Sequence, residues 1–64
     1  MNGVKTPVFV ETEYAVRDRV IFGPHHGYVG RIIITENGVC YGVYYWHNEE
    51  QKFIELYGYE LGPE

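Results

Sequence analysis

The sequence predicts a single all-β domain, a small five-stranded barrel with a short N-terminal arm, and three observations carry that expectation. No long segment shows a helical apolar period. Short β-prone segments follow one another at hairpin spacing instead, which indicates a small barrel or sandwich. The chain is also short and rich in aromatic side chains: of its 64 residues, seven are Tyr, three Phe and one Trp. A chain of this size buries only about 60% of its unfolded surface. Since each buried aromatic removes about 150–250 Å² from water, a few suffice to hold so small a core.

The elements follow in chain order. Residues 1–12 form the arm, in which Pro7 interrupts a β-prone stretch around Val8-Phe9-Val10. Residues 13–64 form the barrel. Tyr14 to Phe22 carries apolar residues at Tyr14, Val16, Val20 and Phe22, the even spacing of a strand with one buried face. Gly23-Pro24 ends it. Gly27 to Thr35 is a second strand, its isoleucines β-branched and poor helix material. Asn37-Gly38 is a strong hairpin signal, because both residues tolerate positive φ. Val39 to Trp46 is the third strand, His47 to Glu50 a polar turn and Gln51 to Leu56 the fourth strand. Tyr57 to Leu61 is a tight turn leading into a last strand stub.

Residues 18–32 resemble a known pattern. Gly23-Pro24-His25-His26-Gly27-Tyr28-Val29-Gly30-Arg31-Ile32, preceded by Asp18-Arg19-Val20, is similar to the KOW motif of ribosomal and transcription-elongation proteins. The second half, with Tyr41-Gly42-Val43 leading into Trp46 and ending at Glu60-Leu61, looks like Tudor and related small barrels. The resemblance implies an SH3-like barrel of the kind found in short bacterial and phage-encoded proteins. It also implies that Gly27 and Gly30 sit where a Cβ is costly. Two positions depart from it: Arg17 stands where the family usually has Gly before the Asp, and His26 where a basic residue commonly contacts RNA.

Charge narrows the choice of partner. Five basic against nine acidic residues give a net charge of −4, which opposes phosphate-backbone binding. A nucleic-acid surface, the alternative function, would draw on Arg17, Arg19, His25, His26 and Arg31. A single cysteine, Cys40, excludes an internal disulfide and suits a reducing, cytoplasmic setting. The N-terminal residues offer no signal-peptide run, and the aliphatic stretch Ile32-Ile33-Ile34 is far too short to cross a bilayer.

Enzymatic chemistry finds little to work with. The chain has no serine, and Cys40 is placed on a strand without a helix N-terminus to lower its pKa. His25, His26 and His47 lack the spacing of a metal site, and the adjacent loop residues His25 and His26 tend to point apart. No cofactor, no metal and no catalytic residue is expected.

The aromatic residues say more. Alternation along Val39 to Trp46 puts Tyr41 and Val43 on one face, Tyr44 and Trp46 on the other. With Tyr41 and Val43 inward, and Ile54 and Leu56 inward on the partner strand, Tyr44, Trp46 and Phe53 form an outer cross-strand patch. Three fates are open to it: cover by Val8 and Phe9 of the arm, a cage for a methylated cation, or an interface with a protein partner or a second copy. The expectation is a non-enzymatic interaction module, of phage or prophage accessory type, working through Tyr44, Trp46 and Phe53.

Overall fold

The computed structural model describes residues 10–64, so the expected strap of Val8 and Phe9 lies outside the described residues. Within them the chain is all-β. Five strands, β1 (Arg19–Phe22), β2 (His25–Thr35), β3 (Gly38–His47), β4 (Glu50–Tyr57) and β5 (Gly62–Pro63), form one antiparallel sheet in the order β4-β3-β2-β1-β5. A single 3-10 turn, Gly58–Glu60, joins β4 to β5, matching the tight turn and strand stub expected there.

The first strand is shorter than its sequence pattern suggests. Tyr14 to Asp18 is a turn rather than strand, held by Ala15 N–H donating to Asp18 Oδ2 at 2.9 Å and Asp18 N–H to the Ala15 carbonyl at 3.0 Å. An Asp side chain that caps the backbone three residues back competes with strand pairing, so the even apolar spacing does not decide the outcome. Arg17 takes φ 82° in this turn, a conformation that favours glycine. Its N–H donates to the Val29 carbonyl at 2.7 Å, and Val29 N–H donates to the Asp18 carbonyl at 2.9 Å, so the turn docks on β2 before β1 begins.

Hairpins set the remaining registers. β1 and β2 are joined through Gly23 (φ 54°) and Pro24, and β2 starts at His25 rather than Gly27. The next turn is centred on Glu36-Asn37, with Thr35 opposite Gly38. Asn37 does not use its tolerance of positive φ; Gly38 alone does, at φ 126°. The two-residue type I′ geometry occurs instead at Asn48-Glu49, with φ 53° and 64° between the paired His47 and Glu50.

A bulge at Gly30 resets β2. Val29 lies opposite Val43 and Arg31 opposite Gly42, so Gly30 is the extra residue. Before it the odd-numbered side chain Val29 faces inward; after it the even-numbered Ile32 does. The inner face thus collects two cross-strand rows, Val29–Val43–Ile54 and Ile32–Tyr41–Leu56. Val20, Val29, Tyr41, Val43 and Leu61 are the buried core, with Tyr14, Phe22, Ile32, Val39, Ile54 and Leu56 against it. Tyr14 closes one end, edge-on to Tyr41 with ring centroids 5.4 Å apart and its hydroxyl donating to the Leu61 carbonyl at 3.2 Å. The Tyr41 hydroxyl in turn accepts from Glu13 N–H at 2.8 Å.

Hydrogen bonding leaves this sheet open, with β4 and β5 as its edges. The strand ladder does not complete the barrel expected from chain length. Two residues, one of them Pro63 without an N–H, give β5 too little backbone to reach across to β4.

Candidate functional site

Opposite the core, the sheet presents an aromatic row. Tyr28 on β2, Tyr44 on β3 and Phe53 on β4 are direct cross-strand neighbours. Their rings follow one another at 5.6 Å and 4.9 Å, the first pair stacked and the second tilted. Cross-strand aromatic pairs of this kind each contribute about 0.2–1 kcal/mol. The row is set above two glycines. A Cβ on Gly30 would run into the Tyr44 ring, and one on Gly42 would lie 2.6 Å from Phe53 Cζ. Side-chain-free patches on β2 and β3 therefore let both rings lie flat against the backbone. Gly27 is constrained similarly, by the Tyr44 carbonyl. The cost expected for a Cβ at Gly27 and Gly30 thus comes from close approach, not from positive φ.

Trp46 stands one strand pair further along the same face and is 66% exposed. Together with Arg19, His26, Tyr28 and Tyr44 it borders a shallow cleft of about 260 Å³. Tyr44, Trp46 and Phe53 therefore share the outer face, as the alternation of β3 and β4 anticipates. Tyr28 is the ring that the sequence reading missed. Its signal lay in the Tyr28-x-Gly30 spacing opposite Tyr44, which the bulge at Gly30 concealed.

The cationic candidates separate into two groups. Arg19, His26 and Arg31 lie on the aromatic face; His25 and Arg17 do not. His25 turns to the inner face, where its ring meets Phe22, Tyr45 and His47 at 5.3, 4.9 and 5.3 Å. Arg17 belongs to the turn before β1. Each cation on the aromatic face meets a carboxylate. Glu64 accepts from Arg19 Nε at 3.2 Å and from His26 Nδ1 at 3.0 Å. Arg31 donates to Glu55 at 2.9 Å, reaching over Gly42, and its guanidinium lies 4.9 Å from the centre of the Phe53 ring. The hydrogen bond from His26, aided by the Arg19 charge, holds the Glu64 carboxyl below its ordinary value of 4.5 against an opposing effect of burial.

Cys40 is half-buried on β3, between Ile33 and Tyr57 in the register. Its proximity is the main cause that raises the Tyr57 phenol above 10.0. Among the described residues no helix is long and apolar enough to cross a membrane. No protein-family model matches the chain, and neither a curated protein nor a solved structure matches it significantly.

Proposed function

We propose that the chain is a non-enzymatic interaction module that binds a protein partner through the outer face of its sheet. The observation that carries this reading is the row Tyr28–Tyr44–Phe53 with Trp46 standing exposed beside it. Protein interfaces place Tyr, Trp and Arg at their centre and deplete unpaired charge there. The outer face has that composition: its arginines are paired with Glu64 and Glu55, so a chain of net charge −4 presents a locally balanced aromatic surface. We read the open sheet as the curled wall of a small SH3-like barrel of KOW or Tudor type. The order β4-β3-β2-β1-β5, which sets the last strand beside the first, supports this. A cytoplasmic accessory protein of bacterial or phage origin fits the same resemblance.

Trp46→Ala tests the face. Trp46 makes no ring contact within the aromatic row, so the variant is expected to keep wild-type circular dichroism and melting. Truncation of an interface Trp commonly costs about 2 kcal/mol or more in binding. Proteins recovered from a host lysate on the wild-type chain should then be lost on the variant, with or without nuclease. An unchanged capture profile from a folded variant would defeat the proposal.

A second reading has one observation in its favour: Arg19, His26 and Arg31 share the face with four aromatic side chains, the combination that single-stranded nucleic acids use. Glu64 and Glu55 oppose it. Binding of a single-stranded oligonucleotide that weakens steeply with salt would establish this alternative.

A further inference from the structure

The two edges of the open sheet are built differently. β5 is two residues long and includes Pro63. β4 runs eight residues, from Glu50 to Tyr57, without proline, and pairs with β3 in an unbroken register from His47–Glu50 to Cys40–Tyr57. On the side away from β3 its backbone donors and acceptors meet no other strand among the described residues. Edges of this length are normally blunted by proline, a bulge or an inward-pointing charge. On the inward side of β4 the charges are Lys52 and Glu50, and they pair with each other at 3.0 Å.

We propose that β4 pairs with β4 of a second copy of this chain, antiparallel, about a two-fold axis at Phe53. The proposal rests on the open edge, and does not require the aromatic face to dock a different partner. Residues directly opposite in an antiparallel pair share a face, so a symmetric pairing is centred on one residue of β4. Centring on Lys52 or Glu55 sets like charges against each other, which is destabilising. Centring on Gln51 leaves only the first residues of β4 in register. Ile54 at the centre sets Phe53 against the partner's Glu55 and leaves no aromatic pair. The Phe53 centre sets Lys52 against Ile54 and Glu50 against Leu56 but brings two aromatic rings together. With Phe53 at the centre, Glu50 through Leu56 are in register, Gln51 faces the partner's Glu55, and no like charges meet. Phe53, 40% exposed at the end of its row, then meets its own copy. The row Tyr28–Tyr44–Phe53 continues into the partner's Phe53, giving one ladder across both sheets. An aromatic pair of this kind is among the favourable cross-strand contacts. Two copies of charge −4 repel at long range, so pairing should tighten as salt rises, opposite to phosphate binding.

Cysteine cross-linking in a Cys40→Ala background reads the register directly. Opposing Cα atoms at the axis lie about 4.5–5.5 Å apart, within disulfide reach. Phe53→Cys should therefore oxidise to a dimer of twice the 7.5 kDa chain mass. Gln51→Cys alone should stay monomeric, yet cross-link when mixed with Glu55→Cys. That mixed pair changes only exposed positions, so it decides the matter even if Phe53→Cys fails to fold. The unsubstituted chain should move toward the dimer mass in sedimentation equilibrium as concentration and salt rise. A monomer throughout that range, or Gln51→Cys cross-linking alone as fast as the mixture, would overturn the proposal. Adding Trp46→Ala should leave cross-linking intact, which separates this outcome from failure of the aromatic face as a docking site.

Discussion

The two faces of this sheet carry parallel rows on the same three strands, and their fates differ. On the inner face Val29 and Val43 are fully buried and Ile54 lies against the core; on the outer face Tyr28 and Phe53 each remain 40% exposed. Both rows are apolar, both are directly cross-strand, and each is centred on β3. What distinguishes them is cover. The inner row receives Val20 from β1, Leu61 from beyond the 3-10 turn and Tyr14 from the leading turn. The outer row is supported from beneath, by Gly30 and Gly42, and among the described residues its end members Tyr28 and Phe53 stay partly exposed. Burial beneath segments distant in sequence makes one row a core, whereas the other remains partly exposed. Stability should therefore respond most to changes on the inner face, and, under the proposed function, recognition to changes on the outer one.

Tyr41→Ala should break the inner side with the largest effect. Tyr41 is 2% exposed, holds the Tyr14 ring edge-on and accepts the Glu13 N–H. Removing a buried aromatic costs about 3–5 kcal/mol, a large share of the stability of any small domain. Urea unfolding should show most of the stability gone, and a variant that melts like wild type would remove Tyr41 from the core.

Gly30→Val probes the support beneath the outer row. The Tyr44 ring occupies the space a side chain would need, so a loss of about 1–3 kcal/mol is expected. In a Tyr44→Ala background the same change should cost less, because the obstructing ring is gone; residues in contact show such coupling. Additive losses in thermal melts of the four chains would mean that ring and glycine are independent.

Glu64→Gln is the gentlest of the three and sharpens the outer face's charge balance. The carboxyl of Glu64 is held below 4.5 in the folded chain, so it stabilises above that pH and loses the contribution as pH falls through its folded value. Wild type and variant should differ slightly in melting temperature at neutral pH and converge in strong acid. A difference that widens on acidification would reverse the sign and remove the clasp on Arg19 and His26.

How far the sequence could reveal this arrangement follows from the range of each interaction. The inward set Tyr41, Val43, Ile54 and Leu56 and the outward set Tyr44, Trp46 and Phe53 follow from strict alternation along unbulged strands, which any local window contains. β1 was extended too far because the turn at Asp18 and the docking of Arg17 on Val29 depend on contacts outside the alternation pattern. Tyr28 was missed because the bulge changes parity midway through β2. The ion pairs of the outer face join residues 24, 38 and 45 positions apart, beyond any local motif. Closure of the ladder depends on how far the C-terminal strand extends, which the hairpin spacing of the first four strands does not determine.

The extra residue in β2 means that this strand is written in two reading frames. Odd numbers name the core up to Val29, even numbers name it from Ile32 onward, and Gly30 is the single-residue shift between them. Deleting Gly30 would only remove the bulge: Val29 would be followed directly by Arg31, and strict alternation would still turn Arg31 outward and Ile32 toward the core. Pairing Gly30 regularly, with no residue lost, is what would exchange the faces of the strand's second half. Arg31 would turn to the core and Ile32 away from it, although every side chain kept its identity.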